Sequence, residues 1–158
     1  MQGCNSVEDC IVKMGPRGDA KSKLYCNECK EDTMHHVWST IVEEPELLLI
    51  QLKRFNNNGK KLRRKMKVTQ EIDVSAVCSI QPGDNLSYSL MGAILHEGQT
   101  SISGHYTSLL KLHGCWHLFD DERISKVNDT NAAAELEVCC DNSCNIYVTL
   151  VFDSLEML

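Results

Sequence analysis

At 158 residues the chain is one domain or one large half of a domain, long enough to bury a sizeable core. Its 42% hydrophobic and 24% charged content is ordinary for a soluble globular protein, and a formal net charge of −6 argues against a general nucleic-acid binder. No run of about 18 apolar residues is present to span a membrane.

The N-terminal stretch Met1-Gln2-Gly3-Cys4-Asn5-Ser6 has no basic region leading into an apolar core, so no secretory signal is read there. Nine cysteines are many, and an odd number leaves at least one unpaired within a single chain. Without a signal, reduced thiols or metal ligation fit better than a disulfide framework, and the expected compartment is cytoplasm or nucleus.

Ser6-Val7-Glu8-Asp9 has the form of a capping box, and Val7, Cys10, Ile11 and Met14 follow at helical spacing. Gly15-Pro16 stops that helix. A polar connector, Gly18 to Lys23, leads to Cys26 and Cys29 on a turn, which opens into the β-forming run His35 to Val42. Leu47-Leu48-Leu49-Ile50 is continuously apolar and suits a strand buried on both faces. Periodicity alone also allows a short buried helix, but Pro45 before the run and the turn after it favour the strand. Beyond it, Leu52 and Arg54 fall on one face and Gln51, Lys53 and Phe55 on the other.

Asn56 to Gly59 is a turn, and Lys60 to Lys67 is a basic run. A localisation signal or a patch for an anionic partner is one reading. A solvated edge strand that resists unwanted pairing is the preferred one. Val68 to Val74 alternates as a strand, Gln81 to Asn85 is a loop, and Tyr88 to His96 is a strand. Glu97 to Ser103 reads as a polar, glycine-containing loop placed to cover a substrate. Later in the chain, Asn131 is placed to cap a short helix through Ala132 to Val138, and Asn145 to Phe152 forms a closing strand. No internal repeat or low-complexity segment appears. The pattern predicts an α+β fold, a largely antiparallel sheet with small flanking helices.

The most informative stretch lies between. Tyr106 to Leu112 and Cys115 to Phe119 read as two strands joined by His113-Gly114, a two-residue turn. That loop length sets His105 opposite Glu122 and Thr107 opposite Asp120, so Asp120 is a diagonal neighbour of His105. A carboxylate beside an imidazole fixes its tautomer and steadies the imidazolium, the base-and-orienter half of a nucleophilic triad. Asp121 is the weaker orienter, because alternation sends it to the opposite side.

Gly104-His105-Tyr106, followed after the hairpin by Trp116 and Phe119-Asp120-Asp121, resembles the histidine box of the ubiquitin-specific proteases, which are papain-like cysteine peptidases. Tyr88 to Gly98 is similar to the strand and loop that precede that box. Pro45 to Phe55 is similar to the family's buried strand, and Tyr25-Cys26-Asn27-Glu28-Cys29 to the second cysteine pair of its zinc-binding fingers. The blocks stand in the family's order and cover most of the chain.

The resemblance implies thiol-dependent hydrolysis of the isopeptide bond after ubiquitin's C-terminal glycine, with His105 as general base and Asp120 as its orienter. It implies that His96, Gly104 and Tyr106 line the channel for ubiquitin's extended tail; packing within the sheet is the alternative for His96 and Tyr106. The family's nucleophilic box, an Asn-Thr-Cys-Tyr-type sequence far upstream of the histidine, does not occur, and Cys139, Cys140 and Cys144 follow the histidine in the wrong order. The chain therefore resembles the C-terminal half of the catalytic domain over residues 1–158, supplying His and Asp but not Cys, and is expected to be inactive alone.

No cofactor is implied for catalysis. Cys26 and Cys29 supply two thiolates of a tetrahedral structural zinc site whose partner pair is missing; Cys4, Cys10, His35 or His36 could stand in, though none has the right spacing. His113 and His117 beside Cys115 are explained by side chains on a tight hairpin. A non-catalytic ubiquitin-binding or scaffold fragment is the second reading, and a ubiquitin-like modifier as substrate a third.

Overall fold

One long ribbon organises the molecule. In a computed structural model that describes residues 4–16, 18, 21–62, 66–79, 86–100, 102–137 and 145–154, strand β5 (Ser87–Thr100) turns back into β6 (Ser103–Leu112). Before it come helix α1 (Val7–Met14), strands β1 (Lys21–Cys26), β2 (Glu31–His36), β3 (Leu47–Gln51) and β4 (Glu71–Asp73), and a 3-10 turn at Ser75–Val77. After it come β7 (Cys115–Asp120), β8 (Arg123–Val127), helix α2 (Asp129–Glu137) and β9 (Asn145–Ser154). The main sheet runs β3-β9-β5-β6-β7-β8, with β4 added alongside β5, and every pairing is antiparallel. β1 and β2 form a separate hairpin. This is the predicted antiparallel sheet with small helices.

The core is built where alternation along the central strands turns large side chains inward. Tyr88, Leu90 and Leu95 of β5, Leu109 of β6, and Leu150 and Phe152 of β9 are buried, as is Trp116 of β7. Each such side chain contributes about 1.5–3 kcal/mol relative to remaining in water. Helix α1 adds Val7 and Cys10 to the same cluster. Its start is the capping box read from the sequence: the Asp9 N–H donates to Ser6 Oγ at 3.0 Å, and the Ser6 N–H donates back to the Asp9 carboxylate at 3.2 Å.

Several local expectations are corrected. Leu47 to Ile50 is not buried on both faces: among the described residues β3 is the sheet's edge, paired only with β9, and Leu49 is 63% exposed. A continuous apolar run cannot reveal which face the rest of the protein covers. Val68 to Val74 contributes only the three-residue β4. Strand character lies at Glu31–His36, ahead of the predicted run at His35 to Val42. The polar segment Glu97 to Ser103 is largely the end of β5 and the start of β6, with a register shift between Glu97 and Thr100.

Helix α2 is capped by Asn128, whose Oδ1 accepts from the Asn131 N–H at 2.7 Å, and not by Asn131 itself. Strand β8 had no signal of its own in the sequence. In the basic run, Lys60, Lys61 and Lys67 make isolated bridges to Thr100, Phe55 and Ser6, while residues 63–65 lie outside the described ones. So do the loop Gln81 to Asn85 and the cysteines at 139, 140 and 144. Among the described residues no helix is long and apolar enough to cross a membrane.

Candidate active site

Two tight turns bring the site together. His113 and Gly114 join β6 to β7 with φ of +49° and +75°, the pair of positive values that matches the twist of a two-residue hairpin. The resulting register pairs Leu112 with Cys115 and Ser108 with Phe119. Asp120 ends β7, pairs with Arg123 of β8, and is followed by Asp121 in the left-handed region at φ +52°. The turn after Asp120 and the last rung of the β6–β7 ladder at Ser108 leave room for the diagonal contact. His105 Nε2 and Asp120 Oδ1 share a short hydrogen bond, with both side chains 43% exposed.

The electrostatics follow from that contact. The Asp120 hydrogen bond raises the His105 pKa above its ordinary value, and the charges of Asp120, Asp121 and Glu97 act in the same direction, against a partial loss of solvent. Glu97 is the neighbour that the sequence reading missed. It pairs directly across the ladder with His105, and alternation would have exposed this had Glu97 been read as strand. With Nε2 held by the carboxylate, Nδ1 is the ring atom left to exchange a proton with another group.

Across the same ribbon, His96 pairs with Tyr106 and packs against it at 4.7 Å between ring centroids. Phe55 also packs against it, edge to face with ring centroids 5.5 Å apart. His96 is 0% exposed, whereas Tyr106 is 52% exposed. Of the three residues predicted to line a channel, Tyr106 and Gly104 are at the surface and His96 lies in the layer beneath. Neither ring nitrogen of His96 has a hydrogen-bond partner among the described residues. An orphaned buried polar group costs on the order of 1–3 kcal/mol. Burial, and secondarily the charge of Lys61, lowers its pKa, which favours the neutral ring.

Gly104 meets both structures. A Cβ placed there would lie 2.3 Å from the Glu97 carbonyl oxygen and 2.3 Å from His96 Nε2. Only glycine fits such an approach.

The thiols among the described residues lie elsewhere. Cys10 is buried and pushed up to about 12 by burial and by its neighbour Cys4, a poor environment for a thiolate. Cys78 is also raised, chiefly by burial. Cys115 pairs with Leu112, about 23 Å along β6 from His105 at roughly 3.3 Å per residue. Among the described residues, no thiol hydrogen-bonds His105.

Cys26 and Cys29 flank the β1–β2 turn, where the backbone N–H groups of Cys29 and Glu28 lower the Cys26 pKa. That chemistry suits a metal ligand. However, the described residues offer no third side chain to complete a site there. Cys4 and Cys10 are packed in the core, and His35 is engaged by Thr33 at 2.7 Å. The pair therefore fits two corners of a zinc site and no more. A trio at the acid–base site, His105, Asp120 and Asp121, brings its ligand atoms within 4.8 Å of one another. An apolar groove of about 260 Å³ between α1 and β3 is separated from β6 by two strands and is unrelated to this chemistry.

Residues 3–148 match the family model for ubiquitin carboxyl-terminal hydrolase. Among curated proteins, the chain is 32% identical over 117 residues to ubiquitin carboxyl-terminal hydrolase 17-like protein B of Mus musculus, covering 73% of this chain and 25% of that protein. It is 33% identical over 114 residues to ubiquitin carboxyl-terminal hydrolase 23 of Arabidopsis thaliana, covering 70% of this chain and 13% of that one. A structure of the yeast SAGA DUB module shares the fold with a TM-score of 0.70 at 23% identity, over 96% of this chain and 33% of the matched one. A SAGA DUB module bound to ubiquitin aldehyde matches with a TM-score of 0.70 at 20% identity, over 99% and 35% respectively. The chain thus spans at most about a quarter of the length of these curated relatives. A sequence that matches the family model along nearly its whole length, and folds as the solved structures do, belongs to the ubiquitin carboxyl-terminal hydrolase family.

Proposed function

We propose that this chain is the C-terminal half of a cysteine-type deubiquitinase catalytic domain and contributes the acid–base pair of its active site. The supporting observation is the hydrogen bond between His105 Nε2 and Asp120 on a hairpin of a chain in this family. In the reaction, a thiol supplied from outside these 158 residues transfers its proton to His105 Nδ1. The thiolate then attacks the carbonyl carbon of ubiquitin's C-terminal glycine. Asp120 holds the ring and stabilises the imidazolium, which returns the proton to the departing lysine amine; water then hydrolyses the thioester. General acid–base catalysis of this kind contributes about 10²–10⁴-fold.

Gly104 and Tyr106 form the wall along which the extended tail runs, with His96 as the layer supporting it. Cys26 and Cys29 would hold one side of a structural zinc, with the remaining ligands supplied by another segment; when bound, the metal would tie the finger hairpin together. Ubiquitin or its conjugates are the partner, with neither nucleic acid nor membrane involved, and cytoplasm or nucleus is the compartment.

The test is incubation with ubiquitin carrying a thiol-reactive group at its C-terminus, followed by intact mass measurement. The proposal expects the chain to remain unmodified; a ubiquitin adduct on any of its nine cysteines overturns the assignment of the nucleophile elsewhere. A non-catalytic ubiquitin-binding or scaffold role is the second reading, favoured by the lack of a thiol bonded to His105 among the described residues. Retention of the chain on immobilised ubiquitin supports binding, and passage straight through counts against it. Parallel columns of ubiquitin-like modifiers distinguish the substrate class.

A further inference from the structure

We propose that His96 is a positioning residue for His105: its flat ring, packed against Phe55 and Tyr106 and pressed beneath Gly104, sets the backbone from which His105 reaches Asp120. The role deepens the reading of His105 as the acid–base residue and rests on it. His96 is fully enclosed, and neither ring nitrogen is spent on a hydrogen bond among the described residues. The side chain is therefore held by shape. Two rings pack against it, with centroids at 4.7 and 5.5 Å.

Its Nε2 lies so close under residue 104 that a Cβ there would come within 2.3 Å. The peptide immediately before His105 thus sits directly on the imidazole. The Lys61 ammonium donates to the His96 carbonyl at 3.2 Å, which ties the supporting strand to the 55–61 segment above it. Besides the imidazole, the segment is held by the Glu97–His105 rung, beyond which the β5–β6 ladder changes register between Glu97 and Thr100. A hydrogen bond weakens steeply with misalignment, so the His105–Asp120 contact is sensitive to small displacements of the backbone that carries it.

The experiment is an NMR titration of the His105 ring in the 158-residue chain, with amide spectra confirming the fold of each variant. Glu97, Asp120 and Asp121, the carboxylates facing His105, are unchanged throughout, so a moved midpoint reports geometry. In the wild type the midpoint is expected above the ordinary value of about 6.5. His96→Leu, which is apolar but not planar, is expected to lose at least half of that excess, and His96→Phe, which keeps a flat ring, to retain it. A folded His96→Leu protein with the wild-type midpoint overturns the proposal. So does a folded His96→Phe protein that loses the excess, since His96 would then be one more packing residue.

Should His96→Leu fail to fold, the wild type alone decides. A nuclear Overhauser contact between His96 Hε1 and Gly104 Hα is expected, and its absence is fatal to the idea. Ubiquitin takes no part in these measurements, so an adduct with thiol-reactive ubiquitin would overturn the functional reading and leave this result standing.

Discussion

His96 and His105 lie on opposite faces of one β-ribbon. His96 pairs across it with Tyr106, and His105 pairs with Glu97. The first imidazole is enclosed, unpartnered among the described residues, and biased toward the neutral form by burial. The second is partly exposed and biased toward the charged form by a carboxylate. One strand pair therefore carries two histidines with opposite responses to acid.

Opposite responses predict opposite contributions to stability. The folded pKa of His105 is raised, so its stabilising effect is fully present below the unfolded value of about 6.5 and is lost as pH rises through the folded value. The folded pKa of His96 is lowered, so its contribution is present above about 6.5 and is lost as pH falls through the folded value. Denaturant midpoints measured between about pH 5 and 8 should show Asp120→Asn removing the loss on the alkaline side and His96→Phe removing the loss on the acid side. An Asp120→Asn profile that superimposes on the wild type would contradict this.

Thiol reactivity should follow the local environments. The Cys26 thiol is favoured as thiolate by the Cys29 and Glu28 backbone N–H groups, whereas Cys10 is buried and raised to about 12. Limited alkylation with iodoacetamide at neutral pH, mapped by peptide mass, is expected to label Cys26 well before Cys10. The reverse order in folded protein would show that the β1–β2 turn does not activate its thiol.

Trp116 anchors the hairpin that carries Asp120. It is 1% exposed, pairs with Lys111 and Val127, and has the Lys111 ammonium 5.9 Å above its ring. Trp116→Ala should cost about 3–5 kcal/mol, read from urea unfolding. A loss below about 1 kcal/mol would place the tryptophan outside the core.

The turn ahead of it has room for improvement. His113 holds a left-handed φ of +49°, which asparagine or glycine adopts more readily. His113→Asn is expected to stabilise the hairpin by a few tenths to about 1 kcal/mol. A lowered unfolding midpoint would mean that the imidazole makes a contact outweighing the backbone gain.

Much of this arrangement was legible beforehand, for physical reasons. A two-residue turn leaves one register open to the flanking strands, so His113-Gly114 alone put Asp120 diagonal to His105. Ser6 and Asp9 reveal helix α1 because both capping partners are local. What escaped notice depends on distant partners. β3 reads as a core strand but lies at an edge, since apolarity records what a strand could bury and not what covers it. Glu97 looked like loop because polar residues and Gly98 mask a strand stabilised by pairing with β6. β8 is almost wholly exposed and carries no burial pattern, so only its pairing with β7 defines it. The depth of His96, and its closeness to Gly104, needed Phe55 from a remote segment to become visible.

The pairing of His105 with Asp120 is tested most directly by titrating the His105 imidazole by NMR in the wild type and in Asp120→Asn. The wild-type midpoint should exceed about 6.5 and fall toward that value once the carboxylate is replaced. Equal midpoints in two folded proteins would mean that Asp120 does not hold His105 in solution, and the chain would have no acid–base pair to offer a thiol.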